Sequence, residues 1–455
     1  MNFEEAIQWI HSIGRFGVKP GLERITTLLE HLGNPHHKLS FVHIGGTNGK
    51  GSTAAILSSI LEASGYQVGL YTSPYLEAFN NRIAINGEDI SQEKLVEHVK
   101  RVKPVVEKVA AVPDLGHPTE FEVVTALALD YYASLKPDLV ILEVGLGGRL
   151  DATNIVTPLA SVITNVSLDH TSVLGDTVEE VTFEKAGIIK DKVPVLTSAS
   201  DPVVQNLLKE TASQKQSPFY QVVNSYSSEE NYEKNLTFSQ GIIKFRQKEI
   251  LAGGQRFDYS GLNATYNDLF LSLIGSYQVA NAALALAVVE VLNFEDFYLN
   301  EDSVRYGLTR VSWPGRMEVM QESPLLVLDG AHNPAAIQEL SRAIKDFFKY
   351  ERLVLVMGIM EDKDVKGVMG NIIHQADLLI LTRPELPRAA DPHVLRDKLV
   401  EEGNMPHILV ELDIKQALGL ALSSANEDDL VLVTGSFFTI SDARDIYERY
   451  FLKKS

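Results

Sequence analysis

The 455-residue sequence contains no cysteine. This excludes a disulfide framework, thiolate metal sites, iron–sulfur clusters and a cysteine nucleophile, and it suits a reducing compartment. No apolar run approaches the roughly 18 residues of a membrane-spanning helix. The opening residues, Met1-Asn2-Phe3-Glu4-Glu5, are acidic and lack the basic-then-apolar order of a secretion signal. The expectation is a cytoplasmic protein with no membrane partner. Basic residues are in the minority, 41 Lys and Arg against 60 Asp and Glu, for a net charge of −19. That balance argues against nonspecific nucleic-acid binding. It does not oppose one anionic ligand, because a few backbone N–H groups and a lysine outweigh it locally. With 45% hydrophobic and 22% charged residues, the chain has a globular composition.

Short apolar runs alternate with helix-length amphipathic stretches. Strands are expected at Phe41–Ile44, Val68–Tyr71, Leu139–Val144, Ser161–Thr164 and Val193–Leu196, with a helix at Ser52–Ala63 stopped by Gly65. Continuous apolar runs of this kind suit a parallel sheet buried on both faces. Residues 220–275 are richer in Asn, Ser, Tyr and Gly, and pieces such as Ile242–Phe245 and Phe257–Tyr259 look like antiparallel strands. Tyr277–Leu292 is an Ala-rich helix. Strands resume at Leu325–Leu328, Leu353–Met357, Leu378–Leu381, Ile408–Val410 and Leu430–Val433. Leu292–Ser312 is the best linker. The expected fold is α/β in two domains. Residues 1–312 form a P-loop-type domain with a mostly parallel sheet and a small antiparallel segment, and residues 313–455 form a Rossmann-like domain.

The strongest local signal is Gly45-Gly46-Thr47-Asn48-Gly49-Lys50-Gly51-Ser52-Thr53, placed after a strand and opening a helix. Glycines let backbone N–H groups approach phosphate oxygens, the helix start adds partial positive charge, and Lys50 adds a full one. The spacing departs from G-x-x-x-x-G-K-[ST], since position 44 is Ile and Gly51 separates Lys50 from Ser52. The bland alternative is a glycine-rich turn with a surface lysine. A second glycine-rich turn, Gly145-Leu146-Gly147-Gly148-Arg149-Leu150-Asp151, follows Glu143 at a strand end, where open α/β sheets bind ligands. Glu143 is either a core-edge acid paired with Arg149 or a Mg²⁺ ligand.

Taken in order, Gly46–Ser52 (GTNGKGS), Tyr71–Pro74 (YTSP), Glu143–Asn154 (EVGLGGRLDATN), Asp169-His170, Glu184–Ile188 (EKAGI), Asn281-Ala282-Ala283, Pro314-Gly315-Arg316 and Asp329–Pro334 (DGAHNP) resemble the folylpolyglutamate synthase/dihydrofolate synthase family, related to the Mur peptide ligases. The resemblance runs through most of the chain. It implies an ATP-dependent amide ligase. ATP phosphorylates a carboxylate of a folate, with dihydropteroate as the alternative or additional acceptor. The amine of L-glutamate attacks the acyl phosphate, and phosphate leaves. Charge developing at the γ-phosphate calls for metal, lysine and backbone donors rather than a covalent nucleophile.

The same resemblance implies roles for individual residues. Thr47, Asn48, Gly49, Lys50, Gly51 and Ser52 form the triphosphate cradle. Ser73 and Glu143 hold one Mg²⁺, and His170 holds a second ion, although its plain reading is a capping or loop histidine. Lys185, otherwise a solvated helix lysine, becomes a carbamylated group that organises the metal site. Asn281 contacts the base or packs its helix. Arg316 reaches phosphate or anchors the linker. Asp329 contacts a ribose hydroxyl or serves the amine side. His332 contacts ligand, while Asn333 and Pro334 start a helix. Phe121, Glu122 and Asp151 line a pterin pocket, against plain readings of Phe121 as core and Asp151 as a loop cap.

The sequence departs from the family pattern at Tyr75, Asn81 and Tyr277, where His, Glu and His are common; these departures bear on the substrate contacts of the Ser73–Ile83 loop and not on the ATP site. A Mur-type ligase for a cell-wall precursor and a non-catalytic nucleotide-binding regulator are the rival readings. The expected partners are small molecules only, the expected state is a monomer, and domain closure is expected to exclude water from the acyl phosphate.

Overall fold

The computed structural model describes residues 1–14, 17, 20–225, 240–295, 297–402 and 406–452. Contacts divide the chain into two units. One comprises Met1–Lys248, Arg256–Leu271 and Gln278–Val311; the other comprises Glu249–Gln255, Ser272–Tyr277 and Ser312–Ser455.

Eleven strands form the first sheet: β1 (Phe41–Gly45), β2 (Val68–Tyr71), β3 (Ile83–Ile85), β4 (Glu88–Asp89), β5 (Leu139–Glu143), β6 (Ala160–Ile163), β7 (Val195–Thr197), β8 (Phe219–Asn224), β9 (Gln240–Leu251), β10 (Gly254–Ser260) and β11 (Thr265–Leu271). Their order is β11-β10-β9-β8-β7-β6-β1-β5-β2-β3-β4. From β2 through β9 the pairings are parallel. The central strands β1, β5 and β6 are buried at every position, as their mostly apolar residues require in a sheet covered on both faces, with His43, Glu143 and Ser161 as the buried polar exceptions. The expected strands shift by a residue or two at β6 and β7. Ile242–Phe245 lies inside the longer β9, which pairs parallel to β8 rather than antiparallel. Hairpin character begins with the short turns that join β9, β10 and β11. Part of the 220–275 segment, residues 226–239, lies outside the described residues.

The expected linker at Leu292–Ser312 contains a helix, Glu301–Arg310, N-capped by Asn300. It docks on the helix Lys50–Ala63: a β-carbon on Gly307 would meet the Ile60 backbone, and Ser59 Oγ donates to the Gly307 carbonyl at 2.8 Å. The segment belongs to the packed body of the first unit up to Val311.

The second unit has a six-stranded sheet: β12 (Glu318–Glu322), β13 (Leu325–Leu328), β14 (Leu353–Met357), β15 (Leu378–Leu381), β16 (His407–Val410) and β17 (Leu430–Thr434). The order is β12-β13-β17-β14-β15-β16, parallel except for the β12–β13 pair. Helices Pro334–Phe347 and Ile414–Ser424 bury one face each, as their Ile, Leu and Ala spacing dictates. Among the described residues, no helix is long and apolar enough to cross a membrane.

Candidate active site

In the first unit the order β6-β1-β5-β2 brings four strand C-termini side by side. The loop after β1 carries Gly46–Lys50, and helix Lys50–Ala63 starts there with Gly49 at φ 85° as its N-cap. The left-handed conformation and the neighbour both require glycine at 49: a β-carbon would meet Oδ1 of Asn281, whose Nδ2 donates to Gln278 Oε1 at 2.9 Å. A β-carbon on Gly46 would likewise meet Thr164 Oγ1. The loop is clamped from the segment after β6. Thr47 N donates to the Asn165 carbonyl at 2.8 Å, Asn48 N to Asn165 Oδ1 at 2.9 Å, and Ser167 N to Thr47 Oγ1 at 3.0 Å. Lys50 Nζ donates to the carbonyls of Gly46 and Thr47 at 3.2 and 3.1 Å. Ser52 is buried at the first helical turn, and Gly51 lies beside Lys50 in the same turn. Lysine and first-turn N–H groups are thereby concentrated in one turn, the arrangement that attracts phosphate.

Lys185, on helix Val178–Ala186, is buried rather than solvated, and its Nζ donates to the Gly46 carbonyl at 3.0 Å. Burial, reinforced by the nearby Lys50, brings its pKa down to about 7, while Asp169 and Asp151 pull the other way. His170 occupies the N-cap position of the short helix Thr171–Leu174 at φ 51°, with no side-chain capping bond, and is exposed; its backbone N–H donates to Asp169 Oδ1 at 2.8 Å.

Glu143 ends β5 as a buried carboxylate and accepts from Ser73 N at 3.0 Å. It does not pair with Arg149, which forks onto Glu184 at 2.8 Å. The glycines of the second loop serve packing. A β-carbon on Gly148 would press on the carbonyls of Glu184 and Lys185, and one on Gly145 would strike the Phe121 ring.

Phe121 is half-buried, with its ring 6.1 Å from that of Tyr71. Glu122 is committed locally: it closes a capping box with Thr119 at the start of helix Glu120–Leu135 and pairs with Arg24 at 3.1 Å. Asp151 is buried and caps the turn Ala152–Ile155, accepting from Thr153 N at 3.0 Å and from Leu146 N at 2.9 Å. Burial pushes its carboxyl above the ordinary value. Among the departures, Tyr75 packs edge-on to Phe79 with Arg82 5.2 Å from its ring centroid. Asn81 Oδ1 accepts from Glu77 N and Ala78 N at 3.0 and 2.8 Å.

The second unit holds its own cluster at the ends of β13 and β17. Asp329 is buried, with Oδ2 accepting from Met317 N and Oδ1 from Ala331 N, both at 2.9 Å. Burial raises its pKa, opposed by Arg316. Arg316 lies 4.5 Å over the Phe437 ring. His332 Nδ1 is 2.9 Å from the Gly330 carbonyl, and Asn333 caps helix Pro334–Phe347, with Pro334 in its first turn. Tyr277 faces Asp329, and burial with that carboxylate beside it raises its phenol well above the ordinary value.

Sequence reasoning passed over Thr164 and Asn165, which hold the phosphate loop, and Phe437, which stacks under Arg316. Each follows the end of a parallel strand next to one that carries a recognised motif. That position was the available signal.

Among the described residues, no three His, Cys, Asp or Glu side chains cluster as a metal cage. A Mg²⁺ beside phosphates needs only one or two carboxylates and otherwise takes phosphate and water oxygens. The buried Glu143 carboxylate at the Ser73 loop fits that donor requirement.

A glycine phosphate loop on a parallel sheet, followed by a second α/β unit, defines the Mur ligase class. Residues 44–289 match the Mur ligase middle domain, and residues 315–437 match the Mur ligase glutamate ligase domain. A Bacillus subtilis dihydrofolate synthase/folylpolyglutamate synthase is 36% identical over 444 residues, spanning 97% of this chain and 98% of the relative. The chain belongs to the folylpolyglutamate synthase/dihydrofolate synthase family. A Mycobacterium tuberculosis folylpolyglutamate synthase complexed with ADP and AMPPCP superposes with TM-score 0.87 at 29% identity, covering 98% of this chain and 99% of that one. Escherichia coli FolC in complex with DHPP and ADP superposes with TM-score 0.84 at 28% identity, covering 99% and 98%.

Proposed function

We propose that this protein is an ATP-dependent ligase that joins L-glutamate to the carboxylate of a folate, with dihydropteroate as the alternative or additional acceptor. The observation that carries the reading is the convergence of Lys50, Lys185 and the Asn165-clamped loop on Gly46 and Thr47, within a chain of this family. The related structures with ADP and AMPPCP support ATP as the nucleotide, and the one with DHPP supports a pterin partner.

Residues Thr47, Asn48, Gly49, Lys50, Gly51 and Ser52 cradle the phosphates, and Asn281, fixed against Gly49, borders them. Fixed donors there stabilise charge that spreads over the γ-phosphoryl oxygens during transfer to the carboxylate. Ser73, Glu143 and His170 are the candidates for Mg²⁺, which when bound neutralises part of that charge. Lys185 is the candidate for carbamylation. With its pKa at about 7, a share of the amine is neutral near neutral pH. The nitrogen lone pair attacks CO₂, an N–C bond forms, and one proton leaves to solvent. Phe121, Glu122 and Asp151 are assigned to the pterin side. Arg316, Asp329 and His332 are assigned to nucleotide and to the incoming amine. The two domains are taken as 1–312 and 313–455, the protein as a cytoplasmic monomer.

The test is ADP release with MgATP and L-glutamate, offering dihydropteroate, tetrahydrofolate and a cell-wall precursor separately and weighing the products. Turnover with a pterin and a product heavier by one glutamate supports the reading. Turnover only with the cell-wall precursor, or nucleotide binding with no turnover, replaces it.

A further inference from the structure

His43 is the middle residue of β1, fully buried, and points away from any role so far described. A parallel-strand core position is ordinarily apolar, because an imidazole there must lose its water. Its Nε2 lies 2.8 Å from Thr153 Oγ1, and its Nδ1 is buried without a hydrogen-bond partner among the described residues. Thr153 Oγ1 in turn bonds Asp151 Oδ1, and Asp151 Oδ2 accepts from Leu146 N at 2.9 Å.

Counting protons fixes the direction of this chain. An ionised Asp151 only accepts, so the single hydroxyl proton of Thr153 goes to Asp151. The Thr153 oxygen then accepts from His43, which places the imidazole proton on Nε2 and leaves Nδ1 bare. Burial depresses the His43 pKa to about 3, so the ring stays neutral and keeps one donor. Leu or Val at position 43 would fill the core equally well but leave the Thr153 hydroxyl free to turn. The imidazole supplies direction. It points the hydroxyl at Asp151, and Asp151 seats the loop that begins at Gly145, whose other side rests on Phe121.

We propose that His43 is a positioning residue for the Gly145–Asp151 loop, acting through Thr153 and Asp151, and so sets the affinity of the pterin side rather than that of the adjoining phosphate loop. The pterin part of this statement rests on the function proposed above; the loop part does not.

The experiment compares His43→Leu, His43→Gln, His43→Asn and Thr153→Val in the full chain. The Gln amide nitrogen reaches the place of Nε2, whereas the Asn nitrogen takes that of Nδ1. Amide hydrogen exchange at Leu146 is expected to quicken about tenfold in His43→Leu, His43→Asn and Thr153→Val, and to stay near wild type in His43→Gln. The KM for the pterin substrate rises by a similar factor in the same three, while the KM for ATP stays within about twofold. The double variant His43→Leu/Thr153→Val is no worse than either single one. Unchanged exchange at Leu146 in a folded His43→Leu, His43→Asn or Thr153→Val variant, equal behaviour of Gln and Asn, or KM values for ATP and pterin that rise together each overturn the proposal. If His43→Leu does not fold, Thr153→Val, which leaves the imidazole in place, gives the same readouts. If the wild type turns over no pterin, the proposed function fails, and the Leu146 exchange pattern alone still decides the role of His43.

Discussion

The side-chain oxygen of Asn281 occupies the space that a β-carbon on Gly49 would need. Two residues 232 positions apart thus share one volume at the start of the phosphate-loop helix, and Gly49 is held there at φ 85°. Gly49→Ala meets two obstacles, the left-handed backbone and the Asn281 amide. The backbone alone costs about 1–2 kcal/mol. We expect Gly49→Ala to lower stability by at least that much and to abolish nucleotide binding. Adding Asn281→Ala should recover part of the stability, since it removes the collision but not the backbone cost. Chemical denaturation of the two single variants and the double variant measures the coupling; strict additivity would contradict it.

Lys185 makes stability depend on pH in a defined direction. Its folded pKa, about 7, lies below the unfolded value of 10.5. Between these values the unfolded chain binds more protons than the folded one. Stability therefore rises with pH across that window, by at most about 1.4 kcal/mol per unit, and the burden of the buried charge is greatest below pH 7. Lys185→Met removes this contribution. The variant should gain most on the wild type at pH 6 and lose that advantage toward pH 10, when urea midpoints are compared. Its ligase activity should fall about 100-fold or more, the scale of losing a fixed group at the reacting charge. With ¹³C-bicarbonate, the wild type should show a carbamate carbon resonance that Lys185→Met lacks.

Much of the fold was legible because its central strands are mostly apolar runs, broken in β1 by His43 and ended in β5 by Glu143. Phe41–Gly45, Leu139–Glu143 and Leu353–Met357 are buried at every position, and that burial is what the runs encode. The helix Glu301–Arg310 was not legible. It is short and mostly polar, and it is held by Gly307 seated on another helix's backbone, a contact no local pattern encodes. The site divides in the same way. Lys50, Glu143 and Lys185 lie in motifs that follow strands or sit on a helix. The clamp from Thr164 and Asn165 depends on β6 lying beside β1, which is a matter of topology. Lys185 shows the limit of composition: its local sequence suits a solvated helix face, and only tertiary packing buries it.

Glu290 is buried and receives four donors: Tyr259 Oη at 3.0 Å, Leu262 N at 2.7 Å, Asn263 N at 3.0 Å and Ala264 N at 2.6 Å. It fastens the β10–β11 turn to the helix Ser276–Leu292, the same helix that carries Asn281. Glu290→Ala strips three backbone N–H groups of their acceptor. A loss of about 2–4 kcal/mol is expected, because the turn can recover some bonds from water. Glu290→Gln keeps one acceptor oxygen but turns an NH₂ toward the other donors, and should lie between alanine and wild type. Thermal melting of the three proteins would show this order; equal midpoints for Glu290→Ala and wild type would remove the latch.

Asp329 discriminates between charge and shape in the second unit. Its two oxygens each receive one backbone N–H, from Met317 and from Ala331. Asn has the same outline but offers one oxygen and one NH₂, so one of those N–H groups must face a donor. Asp329→Asn should therefore cost about 1–3 kcal/mol, in spite of its near-identical volume. It should also shift the Gly330–Asn333 turn, which bears His332, and ligase kcat should fall more than the stability loss alone explains. Folded-state kinetics well below the melting temperature separate the two effects. An Asp329→Asn variant with wild-type stability and kcat would show that a second acceptor oxygen is not needed there.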